Sequence, residues 1–110
     1  DIRLTVLRGV DGLVFVVDSQ KERLTENINF YNLLKADLLR LGKSLGDVPL
    51  VFQYNKMDLP NTLSYQELEK SINVDRYPSV CASAIKGEGV LETFKLLEDY
   101  LISKVERMML

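Results

Sequence analysis

A polar loop with the sequence Asn55-Lys56-Met57-Asp58 follows the largely apolar run Leu50–Tyr54. A carboxylate at the position of Asp58 can accept two parallel hydrogen bonds from guanine, one from N1–H and one from the exocyclic amine. Adenine has an acceptor in place of N1–H, so the same carboxylate would repel it. Asn55 offers both a donor and an acceptor, so it can hold neighbouring loops and meet the base edge. Lys56 can lay its methylene stem along the base plane while its ammonium stays in water. These residue types predict guanine recognition; the alternative is an ordinary turn, which Asn and Asp also favour.

A second loop, Ser83-Ala84-Ile85-Lys86-Gly87, follows another short apolar segment. A small residue in this loop would let a backbone N–H approach guanine O6, where adenine presents an amine donor instead. We therefore expect the Ala84 N–H to contact the base, with Ser83 and Ile85 beside it. The alternative is that Ala84 and Gly87 only form a tight turn between a strand and a helix.

Three apolar segments are predicted to be the strands that position these loops. Leu13–Val17 is an uninterrupted apolar run, Leu50–Tyr54 repeats the pattern after Pro49, and Val80–Ala82 is a shorter candidate. Uninterrupted runs of this kind are typical of strands buried on both faces in a parallel sheet. Cys81 is accordingly expected to be a small core residue.

Helices are predicted between and after these strands. Apolar residues at helical spacing mark one long helix: Leu24, Ile28, Tyr31, Leu34, Leu38 and Leu41. A capping box at Ser19 and Glu22 is expected near its start, and Gly42 near its end. Ser64 and Glu67 predict a second capping box, for a helix that runs to about Ile72. A short helix is expected over Ile2–Arg8, and a last one after Gly89 with an apolar stripe of Val90, Phe94, Leu97, Leu101 and Val105.

Alternating strands and helices predict an α/β fold with a parallel sheet, flanking helices and three layers. Ligands in such sheets bind outside the carboxyl ends of the strands. This rule selects the loops at Asp18-Ser19-Gln20, at Asn55–Asp58 and at Ser83–Lys86. Within the first of them, Asp18 is expected to be a carboxylate that caps its own loop.

Composition limits the classes of protein that remain. With 110 residues the chain is predicted to be one domain, residues 1–110, and its net charge of −2 argues against nucleic-acid binding. The absence of His excludes His-based catalysis and His-ligated metals. A single cysteine and no apolar run long enough for a membrane span predict a cytoplasmic protein without a transmembrane segment.

The two polar loops together resemble motifs of the Ras-like small GTPases. Asn55–Asp58 is similar to their guanine-specificity motif, and Ser83-Ala84-Ile85 to their Ser-Ala-Lys motif, with Ile85 in place of the lysine. The runs Val17-Asp18-Ser19 and Gln53–Pro60 look most like the bacterial gliding-motility (MglA-type) branch, with Arf-like proteins second. The resemblance covers the carboxyl-terminal two thirds of that fold.

The resemblance implies the guanine-recognition part of a GTP/GDP switch in bacterial polarity or gliding motility. The complete protein would hydrolyse GTP with Mg²⁺ and engage a roadblock-type regulator. The sequence has no Gly-x4-Gly-Lys-[Ser/Thr] phosphate loop. Gly42-Lys43-Ser44 imitates its end, but Asp37 stands where the first glycine should be, and a helix rather than a strand precedes it. We expect a helix cap there, and we expect the family's phosphate and Mg²⁺ groups to lie before Asp1.

Two alternatives remain open on the sequence. One is a GTPase-like scaffold that binds nucleotide poorly. The other is a receiver-type domain with Asp18 phosphorylated and with Ser83 and Lys86 beside it. A further expectation concerns Leu13–Val17, which is interior in a Ras-like sheet. One side of this strand should therefore find no partner within the 110 residues, and should be paired by a preceding segment or another chain.

Overall fold

The computed structural model of the protein describes residues 12–43 and 48–108. The strands are β1 (Leu13–Asp18), β2 (Leu50–Asn55) and β3 (Ser79–Cys81). The helices are α1 (Leu24–Arg40), which follows a 3-10 turn at Lys21–Arg23, α2 (Tyr65–Ser71) and α3 (Val90–Met108). The helix predicted over Ile2–Arg8 lies outside the described residues.

The three strands form one parallel sheet in the order β1-β2-β3. The register pairs Asp18 with Asn55, so the ends of β1 and β2 coincide and their following loops leave the sheet side by side. Tyr54 pairs with Cys81 across β2 and β3. The predicted parallel α/β fold is confirmed; β3 begins and ends one residue earlier than the sequence pattern indicates.

Helices cover both faces of the sheet. On one face Phe52 and Tyr54 of β2 pack with Tyr31 of α1 and with Leu68 and Ile72, from α2 and its carboxyl end. On the other face α3 lies against all three strands. The alternation of side chains along β2 sends its aromatic residues to the first face and Gln53 to the second, where Gln53 Nε2 donates to Thr93 Oγ1 over 2.8 Å.

The end of α1 confirms the prediction that Gly42 caps a helix. Gly42 adopts a φ of 75°, a conformation that glycine reaches without strain. Its N–H donates to the Leu39 carbonyl, and the Lys43 N–H donates to the Leu38 carbonyl, which is the Schellman arrangement. The Gly-Lys pair is therefore a helix terminus; Ser44 lies outside the described residues.

One of the two predicted capping boxes is present and the other is wrong. Ser64 Oγ accepts from the Glu67 N–H, and the Glu67 carboxylate accepts from the Ser64 N–H. Ser19 makes no such bond, because its backbone continues the sheet: its N–H donates to the Asn55 carbonyl and its carbonyl accepts from the Leu63 N–H. The 3-10 turn therefore separates Ser19 from the start of α1.

Two core predictions are also wrong. Phe94 is 59% exposed, because the neighbouring Thr93 takes the buried position that faces the sheet. Cys81 is exposed, because it ends a three-residue strand that lies at a sheet edge in the described part of the chain. The turn before α3 crosses that strand so closely that a Cβ on Gly89, at a φ of 77°, would meet the Cys81 carbonyl oxygen and Ala82 Cα.

β1 forms the opposite edge of the sheet. Within residues 12–43 and 48–108 it pairs only with β2, so the expectation of an unpartnered side holds for the described residues. Val17 points into the core and is fully buried, whereas Val16 on the other face is 53% exposed.

Candidate functional site

The loop after β2 is tied to the loop after β3 through one side chain. Asn55 Oδ1 accepts from the Lys56 N–H over 2.8 Å and from the Ala84 N–H over 2.9 Å. Lys56 adopts a φ of 64°, which is uncommon for a residue with a side chain and turns the backbone sharply after the strand. The Met57 N–H then donates to the Ala82 carbonyl over 3.1 Å. These contacts hold the two predicted base-reading loops next to each other.

A cavity of 280 Å³ between these loops collects every residue that the sequence predicts for the site. Its lining comprises Asn55, Lys56, Asp58, Ser83, Ala84 and Ile85, together with Gln20 and Leu59. Gln20 and Leu59 are missing from the predicted set. The signal for Gln20 was its place just after β1, since the carboxyl ends of parallel strands share one edge of the sheet.

The side chains around this cavity differ in how far they are already engaged. In the described part of the chain, no hydrogen bond or ion pair occupies the exposed Asp58 carboxylate. Ser83 is buried, and its Oγ has no hydrogen-bond partner among the described residues. Ile85 is 92% exposed although its side chain is apolar. An open carboxylate, an open hydroxyl and an uncovered apolar side chain thus face one small space.

One predicted contact has a different partner from the expected one. We expected the Ala84 N–H to face a ligand, but in this structure it donates to Asn55 Oδ1. Ala84 itself lies in a turn closed by reciprocal backbone hydrogen bonds between Ser83 and Glu88. The loop geometry is as small and tight as predicted, but the Ala84 donor is already used to join the loops.

Asp18 and Lys56 form an ion pair across the ends of β1 and β2. Lys56 Nζ lies 2.9 Å from Asp18 Oδ2. The Gln20 N–H donates to Asp18 Oδ1, as expected for a loop-capping carboxylate, and Gln20 Nε2 donates to both carboxylate oxygens. Burial by itself would raise the pKa of Asp18, but the hydrogen bonds from Gln20 and Lys56 outweigh it and lower that pKa. Asp18 is therefore a stable anion at neutral pH.

A second polar network supports β2 from the core side. The Glu69 carboxylate on α2 accepts from the Tyr54 hydroxyl over 2.7 Å, from Asn73 Nδ2 over 2.6 Å and from Ser79 Oγ over 2.7 Å. Burial would raise the pKa of Glu69, but hydrogen bonds from Tyr65, Ser79, Tyr54 and Asn73 lower it. Through Glu69 this network joins β2, α2 and β3, and it holds Tyr54, the residue just before Asn55.

The described residues do not bring together a metal centre. Among residues 12–43 and 48–108, no three acidic or cysteine side chains gather as a ligand set. No described helix is both long enough and apolar enough to cross a membrane.

Comparison with known proteins agrees with this architecture. Residues 5–101 match the model of the ADP-ribosylation factor family. The chain is 38% identical to the mutual gliding-motility protein MglA of Myxococcus xanthus, over 96% of this chain and 54% of that protein. It is 35% identical to human ADP-ribosylation factor-like protein 4A, over 88% of this chain and 50% of the relative.

Yeast ADP-ribosylation factor-like protein 1 is 36% identical, over 81% of this chain and 49% of its own length. The chain thus spans about half the length of the relatives it matches. The chain belongs to the ADP-ribosylation factor family of Ras-like small GTPases.

Membership in this family does not favour the two alternative functions. A receiver-type site needs Ser83 and Lys86 beside Asp18. Ser83 and Lys86 instead line a cavity with Met57 and Asp58, whereas Asp18 lines a different one.

Proposed function

We propose that the 280 Å³ cavity binds the guanine base of GTP and GDP. The observation that carries this proposal is the convergence of Asn55, Asp58 and Ala84, from loops after two neighbouring strands, around one small space. A purine base needs a polar edge contact and apolar cover for its faces. The lining of this cavity supplies both.

Asp58 is proposed to read the N1–H and the exocyclic amine of guanine. Its carboxylate is exposed and free of partners within the described residues, so it can form two hydrogen bonds without first breaking any. An adenine in the same place would present a lone pair to the carboxylate. The carboxylate would then lose its contact with water without gaining a hydrogen bond, which weakens binding more than the loss of a hydrogen bond whose two partners stay in water.

Asn55 is proposed to contact the base through its amide nitrogen. Its Oδ1 already accepts from Lys56 and Ala84, so Nδ2 is the end that remains for an acceptor on the base edge. The Ala84 N–H would reach guanine O6 only by sharing its hydrogen between Asn55 and the base. We therefore propose that Ala84 and Ser83 mainly form the wall of the pocket, and that direct hydrogen bonding to the base is a secondary role.

Ile85 and the stem of Lys56 are proposed to cover the faces of the base. Both side chains line the cavity, and Ile85 has most of its apolar surface in water when no base is present. Covering this surface would contribute favourable free energy at about 25 cal/mol per Å². An isoleucine can do this as well as the stem of the lysine that the related motif carries.

For the complete protein we propose a GTP/GDP switch in bacterial polarity or gliding motility that hydrolyses GTP with Mg²⁺. The similarity to MglA, whose name records gliding motility, supports this assignment. A cytoplasmic location and a roadblock-type regulator belong to the same proposal. Measuring GTP hydrolysis by the full-length protein with and without a roadblock-domain protein from the same genome tests the last point: an unchanged rate would count against it.

Base selectivity is the direct test of the cavity. GDP, ADP and XDP should compete with a fluorescent GDP analogue on the full-length protein, and only GDP should compete well. In Asp58→Asn, XDP should gain on GDP, because the C2 carbonyl of xanthine suits an amide donor. Equal competition by ADP and GDP, or an unchanged order in the variant, would contradict the assignment and favour a scaffold that does not select a base.

A further inference from the structure

The side chain of Lys56 runs backwards across the edge of the sheet, from the end of β2 to the end of β1. Lys56 has a left-handed backbone conformation, with a φ of 64°. Its ammonium then meets Asp18, the residue that is paired in register with Asn55. Lys56 therefore bridges two strand ends instead of extending into water, as an unpaired lysine would.

The Asp18 carboxylate is also held in place by hydrogen bonds other than the one from Lys56. Gln20 donates to it from both its backbone and its side chain, at 3.0 to 3.2 Å. Gln20 Oε1 accepts from Asn61 Nδ2, and Asn61 also donates to Glu22, so a chain of side chains holds Gln20 in turn. With side chains 24% and 44% exposed, Asp18 and Lys56 are better shielded than the fully exposed ion pairs that contribute little.

Lys56 separates two cavities. It lines the 280 Å³ cavity with Gln20 and Asp58, and it also lines a neighbouring cavity of 350 Å³ that contains Asp18. Since the ammonium is bound on the Asp18 side, the methylene stem is what faces the first cavity. The position of this wall depends on where the ammonium is held.

We propose that Asp18 is a positioning residue of the base site, which holds the ammonium of Lys56 so that the lysine stem forms a preset wall for a purine base. This inference rests on the proposed function of the cavity. Without Asp18 the lysine would sample several rotamers, and binding would have to restrict them again. Immobilising one such side chain weakens binding by about 3- to 10-fold.

A double-mutant cycle on the full-length protein tests whether Asp18 acts through Lys56. The dissociation constant of GDP is measured by calorimetry for the wild type, Asp18→Asn, Lys56→Met and the double variant. Met keeps an unbranched stem and removes the ammonium. Asp18→Asn should weaken GDP binding by about 3- to 10-fold in the wild-type background. In the Lys56→Met background the same change should have no effect, because the contact it removes is already lost.

Glu26→Gln is the matched control, since Glu26 lines the same neighbouring cavity but pairs with Arg23 and not with Lys56. It should leave the dissociation constant unchanged. If Asp18→Asn does not fold, Asp18→Ser replaces it in the cycle, because a serine hydroxyl still accepts from the N–H two residues on while the charge is removed.

The outcomes separate this inference from the proposed function. An equal loss in both backgrounds means that Asp18 supports the fold and not the lysine, and no loss in either means that Lys56 needs no anchor; both overturn the positioning role and leave the base site in place. A wild-type protein that does not bind GDP overturns the proposed function and the positioning role together.

Discussion

Asp58 and Glu69 are two carboxylates close to the end of β2, and they differ in how their oxygens are used. Glu69, on the core side, accepts hydrogen bonds from Tyr54, Asn73 and Ser79 and so is saturated by the fold. Asp58, on the loop side, has no such partner within the described residues and lines a cavity. A carboxylate whose partners come from three elements stabilises their packing, whereas an open one at a strand end is available to a ligand.

The largest effect is expected when Asp58 is replaced by its amide. Asp58→Asn in the full-length protein should weaken GTP binding by about 2–5 kcal/mol, the range for removing one partner of a buried charged hydrogen-bond pair. Its free energy of unfolding should change by less than about 0.5 kcal/mol, because no described contact is lost. Calorimetry and denaturant unfolding measure the two quantities, and GTP affinity equal to that of the wild type would end the distinction between the two carboxylates.

The same substitution at Glu69 should have the opposite profile. Glu69→Gln should lower the free energy of unfolding by about 1–3 kcal/mol, since an amide cannot accept all of the hydrogen bonds that the carboxylate accepts. Nucleotide affinity of the folded protein should stay close to that of the wild type. A large loss of affinity without a loss of stability would show that the network serves the site and not the packing.

Lowering the pH should gradually remove the contribution that Glu69 makes to the free energy of unfolding. Folding lowers the pKa of Glu69. The stability that its carboxylate contributes is therefore fully present above the unfolded pKa and is lost as the pH falls through the lower pKa of the folded state. The unfolded value is about 4.3. The difference in unfolding midpoint between the wild type and Glu69→Gln should therefore be constant at neutral pH and narrow as the pH falls below about 4. A difference that stays constant down to pH 3 would contradict this account.

The smallest effect is expected at an ion pair that belongs neither to the cavity of Asp58 nor to the hydrogen-bond network of Glu69. Arg23 Nη1 lies 2.7 Å from Glu26 Oε2, with both side chains about half exposed. Exposed pairs of this kind contribute little, so Arg23→Ala should leave the free energy of unfolding unchanged within the error of the measurement. GDP affinity, measured on the same samples, should also be unchanged. A clear loss of affinity would show that Arg23 supports the base site, and a clear loss of stability would show that it supports the fold.

The sequence predicted the parts of this structure that depend on local pattern. The runs at Leu13–Val17 and Leu50–Tyr54, the Ser64 capping box and the Gly42 cap each follow from residues adjacent along the chain or one turn apart. The predicted base-reading residues also meet in one cavity, because the carboxyl ends of parallel strands share an edge. Their contact with a base remains a prediction.

The errors fall where distant residues decide the outcome. Ser19 looks like a cap, but its backbone is held by the Asn55 carbonyl and by Leu63. Phe94 looks like core, but Thr93 takes the position that faces the sheet and accepts a hydrogen bond from Gln53 there. The prediction that Asn55 holds neighbouring loops is confirmed by its bond from the Ala84 N–H, but no sequence spacing indicates that Lys56 would reach back to Asp18.

The hydrogen bond from Ala84 to Asn55 and the ion pair from Lys56 to Asp18 connect residues 29 and 38 positions apart along the chain. Such long-range contacts form only after both pairs of strands have closed, so the cavity exists only when the whole sheet is folded. A base bound there would add its binding free energy to the folded state alone, about 2.7 kcal/mol at a ligand concentration one hundred times the dissociation constant. The supply of guanine nucleotide in the cell would then govern the resistance of this protein to proteolysis, and through that its lifetime.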